Sequence, residues 1–201
     1  MKSKITYLFL ILPFLTFAQW EFNTASNTEG WSVSQGGSGA PGSLSATATA
    51  IEYTTITGGS TTSRNPKFTN TSANIDATTN NQIEISLKNG SGATYLRLTT
   101  TIGGVLTTYN SVITAGDTDY KIYKFTYDAP GTITALSLEF KLSDGTVSGN
   151  NYIPQTAPST VGKVISIDYI RPKNFIAPIQ NTFNSVSYTH LRAHETGRNL
   201  V

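Results

Sequence analysis

Glu84, Tyr95, Arg97, Glu139 and Lys141 stand at alternate positions in three short runs, each opposite the large aliphatic residues of its run. A tyrosine ring can stack on the apolar face of a pyranose, while carboxylate, guanidinium and ammonium groups answer its hydroxyls. Tyr95 with Arg97 is therefore the first candidate platform, with Glu84 beside it. Tyr109, Tyr120 and Tyr152 are further rings expected at the surface, Tyr152 in a loop. The same tyrosines equally serve as the cross-strand partners that sheets favour. Two carboxylates can also hydrolyse a glycosidic bond, and Glu84 and Glu139 are expected on one face. Lys88, Arg97 and Lys141 flank that pair, so surface ion pairs account for it and no catalytic residue is assigned.

The remaining chemistry is limited by which residues belong to the folded segment. Met1 to Ala18 carries Lys2 and Lys4, an apolar run from Tyr7 to Phe17 and a small residue before Gln19, the pattern of a cleaved secretory signal peptide. The run is shorter than the roughly 20 residues that a spanning helix needs. At the other end, Val186 to Thr196 (VSYTHLRAHET) back-translates into a string that resembles a transposon-based sequencing adapter, so residues 185–201 are expected to be a non-native tail. Both histidines of the 201-residue chain, His190 and His194, lie in that tail, and there is no cysteine. Without them a Ser-His-Asp or Cys-His arrangement is excluded from the segment, and zinc sites lose their main ligands. Residues 19–184 hold ten basic and eleven acidic side chains, a net charge of −1 in place of the +2 of the whole chain. Such a balance carries no nucleic-acid footprint and no attraction to an anionic membrane.

What must position the candidate residues is a set of strands, because the apolar residues alternate with period two. Ile83, Ile85 and Leu87 share one side, as do Leu96 and Leu98, then Tyr123, Phe125 and Tyr127, then Leu136, Leu138, Phe140 and Leu142, and finally Ile165, Ile167 and Tyr169. Gly36-Gly37, Pro41-Gly42, Gly58-Gly59, Asn89-Gly90, Gly103-Gly104, Pro130-Gly131 and Asp144-Gly145 punctuate the runs as turns. The glycine strings lack the lysine and following helix of a phosphate-binding loop. Short strands with one apolar face each, at fairly regular spacing, predict an all-β fold: a two-sheet antiparallel β-sandwich of jelly-roll type over residues 19–171, with a closed barrel as the alternative. Ser60 to Ala73 and Thr146 to Val161 are long, polar and proline-interrupted and are read as loops. Residues 172–184, with Pro172 and Pro178 opposing regular pairing, are read as a linker to a missing C-terminal region.

The segment opens on Trp20-Glu21-Phe22-Asn23 and Thr28-Glu29-Gly30-Trp31 and closes on Val164-Ile165-Ser166-Ile167-Asp168-Tyr169-Ile170-Arg171. These resemble the W-x-F, E-G-W and I-D-x-I elements of jelly-roll carbohydrate-binding modules and their galactose-binding-like relatives. Tyr120 to Tyr127 followed by Ile133 to Phe140 is similar to the penultimate pair of the same family. The resemblance implies adjacent first and last strands, and a structural Ca²⁺ held by Glu29 and Asp168 with Asn23 as a carbonyl donor. Alternatively, Glu29 caps a turn and Asp168 accepts backbone hydrogen bonds at a sheet edge. Trp20 and Trp31 are read as core. The expectation for function is a non-catalytic, secreted or cell-surface module of a larger chain, monomeric, with a polysaccharide or other glycan as partner. The rival expectation is a structural or adhesion module that binds no sugar.

Overall fold

In the computed structural model, residues 20–36, 42–55, 65–142 and 163–176 are described, and they form eleven strands. The strands are β1 (Ser32–Gly36), β2 (Ser43–Ala46), β3 (Ile51–Thr54), β4 (Asn65–Asn70), β5 (Ile75–Asp76), β6 (Gln82–Asn89), β7 (Tyr95–Ile102), β8 (Val105–Val112), β9 (Lys121–Thr126), β10 (Thr132–Lys141) and β11 (Val164–Lys173). One sheet has the order β1-β4-β10-β7-β8, with β5 also paired to β10; the other has β2-β3-β11-β6-β9. Every pairing is antiparallel. The two sheets are not closed into a barrel, and their apolar sides meet face to face.

The period-two pattern produces this core directly. Ile83, Ile85 and Leu87 of β6 and Ile165 and Ile167 of β11 are fully buried from one sheet, facing Leu96, Leu98, Leu136, Leu138 and Phe140 from the other. Trp20 and Trp31 are buried and meet edge to face at 5.3 Å. Trp20 also exchanges backbone hydrogen bonds with Ile170, so the opening of the segment does lie beside the last strand. No helix among the described residues is long and apolar enough to cross a membrane.

Three expectations are corrected. The stretch Ser60 to Ala73 contains β4, the second strand of its sheet, with Phe68 fully buried. Pro66 and the single large apolar residue hide this strand in the sequence. Pairing of β4 to β10 begins at Lys67, one residue past the proline, so that ladder is intact. Likewise β11 runs on through Pro172, which pairs with Ile83. The Ile170 N–H points to Trp20, away from β6, and Pro172 has the same alternating phase, so no β6 bond is lost. Tyr169 does not join Ile165 and Ile167 in the core. A register shift between Ile167 and Tyr169 makes Asp168 the extra residue of a β-bulge, which turns Tyr169 outward and Ile170 inward. The consecutive strands β9 and β10 belong to different sheets. Tight-hairpin chemistry is realised at Gly103-Gly104, where φ of +55° and +84° joins β7 to β8 through two residues. Asn89-Gly90 instead leads the chain from one sheet to the other. The expected loop Thr146 to Val161, residues 1–18 and the tail 185–201 lie outside the described residues.

Candidate functional site

Tyr95 and Arg97 project from β7 on the side opposite Leu96 and Leu98, on the outer face of the six-stranded sheet. Register fixes their neighbours. Arg97 lies opposite Glu139 on β10 and Asn110 on β8; Tyr95 lies opposite Lys141 and Val112; Glu139 in turn lies opposite Lys67 on β4. The result is a polar row running across four strands, Lys67–Glu139–Arg97–Asn110, with Tyr95 and Lys141 directly beside it. Arg97 Nε donates to Asn110 Oδ1 at 3.0 Å. Glu139 Oε1 accepts from Asn65 Nδ2 at 2.9 Å and lies 3.8 Å from Lys141 Nζ. The side chains of Lys141 and Glu139 are only 12% and 18% exposed, which strengthens their attraction by holding water away. Asn65 is fully buried, and its Oδ1 accepts no hydrogen bond among the described residues. The row thus offers cationic and amide donors and a carboxylate acceptor beside one half-buried ring. This combination suits a polyhydroxylated ligand.

The opposite outer face, on the five-stranded sheet, carries the residues that the sequence reading placed elsewhere. Glu84 belongs to β6 in this sheet, so it lies across the sandwich from Tyr95 and Arg97 and cannot share their ligand. The same separation keeps Glu84 and Glu139 from flanking one glycosidic bond, which removes the two-carboxylate hydrolysis geometry. Glu84 instead accepts from the Tyr169 hydroxyl at 3.0 Å and pairs with Lys124 at 3.8 Å. The Arg171 guanidinium covers the Tyr169 ring at 3.7 Å and grips Glu21 through two hydrogen bonds of 2.8 and 2.6 Å. Burial raises the Tyr169 hydroxyl above the ordinary tyrosine value, with the Glu84 acceptor adding to it. Tyr120 lies beneath Lys88 Nζ at 5.2 Å from its centroid, and its hydroxyl too is raised, by burial first and then by Asp168. Both outward tyrosines here already carry a cation on the ring. Tyr95 has no ring or cation contact among the described residues.

Tyr109 is not a surface platform. It lies opposite Leu98 on the inner side of β8 and packs against Tyr127, with centroids 6.3 Å apart. Tyr152 lies outside the described residues. Of the three tyrosines that sequence reasoning placed on the core side, Tyr123 and Tyr127 stay there, and Tyr169 reaches the surface only because of the bulge, for which the period-two pattern holds no signal.

The residues matched to a calcium site each hold a hydrogen-bond partner within the chain. A hard cation needs six to eight oxygens. Glu29 closes a turn whose φ is positive at Phe22, Ser26, Glu29 and Gly30, its Oε1 accepting from the Phe22 N–H at 3.0 Å. Asn23 Oδ1 accepts from the Thr24 hydroxyl at 3.3 Å. Asp168 sits at the bulge of the central strand β11, not at a sheet edge, and accepts from the Ser86 hydroxyl at 3.2 Å. Among the described residues no three acidic, histidine or cysteine side chains gather as a metal site.

No family model matches the chain, and no curated protein matches it. Among solved structures it is similar to a family 29 carbohydrate-binding module, at 14% identity over 81% of this chain and 95% of that one with a TM-score of 0.45. It is similar to a variant of such a module complexed with mannohexaose, at 12% identity over 80% and 96% of the two chains with a TM-score of 0.45. It is also similar to the family 11 carbohydrate-binding module from Clostridium thermocellum in complex with a β-1,3-1,4-mixed-linked tetrasaccharide, at 15% identity over 79% and 98% with a TM-score of 0.45.

Proposed function

We propose that this chain is a non-catalytic carbohydrate-binding module of a secreted or cell-surface protein, and that it holds a polysaccharide against the outer face of the six-stranded sheet. The observation that carries this reading is the cross-strand row Lys67–Glu139–Arg97–Asn110 beside Tyr95, whose ring has no cation or aromatic partner among the described residues. Sheet residues of one face are about 5 Å from their cross-strand neighbours, so the row spans a length suited to several sugar units. Rigid strands position its donors and acceptors with little ordering cost. Tyr95 supplies the stacking surface, Arg97 and Lys141 donate to hydroxyls or ring oxygens, and Glu139 and Asn110 accept, with the buried Asn65 amide holding Glu139 in place.

Affinity electrophoresis through gels containing a panel of soluble polysaccharides tests the reading. Retardation by at least one glycan is expected, with loss of that retardation in Tyr95→Ala. A folded chain retarded by no glycan is a structural or adhesion module, and the proposal fails. Retardation that survives Tyr95→Ala but vanishes in Tyr120→Ala moves the site to the other sheet.

A further inference from the structure

Among the described residues the two open sheets end on β1, β8, β2 and β9, with the two-residue β5 open beside β10, and every one of these but β8 is blunted against further pairing. β2 has four residues, β1 has five, and β9 places Lys121 and Lys124 along its length. β8 differs in every respect. It runs eight residues, VLTTYNSV, with no charge and no proline, and its register against β7 is unbroken. Its Leu106 and Val112 are 70% and 68% exposed.

The free side of β8 can be identified from hydrogen-bond phase. The Ile113 N–H is donated to the Thr94 carbonyl on the β7 side at 2.9 Å. Backbone groups in an antiparallel strand alternate in direction residue by residue. Ser111, Tyr109 and Thr107 therefore point to β7, while Leu106, Thr108, Asn110 and Val112 aim their N–H and C=O groups away from the sheet. The same four residues carry the side chains of the outer face, since Asn110 is opposite Arg97 and Val112 opposite Tyr95.

We propose that β8 pairs antiparallel with β8 of a second copy of this chain, about a two-fold axis through Tyr109. In that register Leu106 lies opposite Val112 of the partner copy and Thr108 opposite Asn110 of the partner copy. Every one of these pairs joins outward residue to outward residue, and every one brings together backbone groups that have no partner strand among the described residues of a single copy. Leu106 and Val112, two of the three exposed apolar side chains of β8, cover each other at both ends of the seam because they are symmetric about Tyr109, while Val105 stays outside it. A shift of two residues in either direction separates them, and a shift of one opposes inward to outward residues. The absence of charge on β8 means that self-pairing meets no like-charge repulsion. This pairing replaces the single-copy expectation drawn from the sequence. It does not depend on the sugar reading; it would place two Tyr95 rows on one continuous sheet.

Sedimentation velocity of the full chain at micromolar concentrations tests the pairing, with thermal melts verifying that each variant is folded. A seam of this length is small, so a concentration-dependent monomer–dimer equilibrium is expected. Leu106→Lys combined with Val112→Lys opposes lysine to lysine at both ends and is expected to weaken association about tenfold or more. Leu106→Lys combined with Val112→Glu opposes lysine to glutamate in this register alone and is expected to retain the dimer. A parent chain that is monomeric at every concentration overturns the proposal and leaves the edge to a strand from a different protein. A dimer indifferent to the double-lysine variant overturns it as well.

Discussion

Truncating Phe68 to alanine is expected to destabilise the protein by about 3–5 kcal/mol, the range for a buried aromatic whose cavity cannot collapse. The ring is fully buried on β4 and stands between the two sheets. It contacts Tyr53 of the five-stranded sheet and Phe140 of its own, each with centroids 5.8 Å apart. Those two aromatic contacts account for about 0.5–1.5 kcal/mol each, and transfer and cavity terms supply the rest. For a chain of this size each kcal/mol corresponds to about 2–4 °C in melting temperature, so the midpoint should fall by roughly 6–20 °C. Circular dichroism melts of Phe68→Ala and of Thr69→Ala, its outward neighbour, make the comparison. Thr69→Ala should stay within about 0.5 kcal/mol of the parent. If Phe68→Ala melts as the parent does, residues 65–70 are a surface loop and the core assignment is refuted.

Gly90 tests a close approach: a Cβ there would sit 2.4 Å from the Val164 carbonyl oxygen, so Gly90→Ala should cost about 1–3 kcal/mol by displacing the start of β11, read as a shift in urea midpoint. Asp76 is held below its ordinary 3.8 by the Thr79 hydroxyl first and the Thr78 N–H second. Its folded value is depressed, so its stabilising contribution is present above the ordinary value and is lost as pH falls through the lower, folded one. Thr79→Val should raise the Asp76 titration midpoint in an NMR pH series, and an unmoved midpoint would assign the effect elsewhere. A chelator should leave the melting temperature unchanged, since Glu29 and Asp168 are engaged with the Phe22 N–H and the Ser86 hydroxyl; a fall of several degrees would restore calcium to the structure.

The alternation of Ile83, Ile85 and Leu87, of Leu96 and Leu98, and of Leu136, Leu138 and Phe140 was legible from the sequence alone, and so was the sandwich built on it. Side-chain direction in a strand is local: it follows from the residue count and needs no knowledge of the partner. The outward direction of Tyr95 and Arg97 was readable for the same reason, as was the burial of Trp20 and Trp31. Which strand pairs with which is non-local, and there the tertiary structure decided. It put β6 and β7 in different sheets, so Glu84 left the company of Tyr95 while Glu139 and Lys141 stayed. It accepted Pro66 and Pro172 into strands, Pro66 one residue outside the β4–β10 ladder and Pro172 with its missing donor turned away from β6. One bulge residue, Asp168, reversed the phase of all that follows it and brought Tyr169 and Arg171 to the surface, a consequence of a period of two that a single inserted residue inverts.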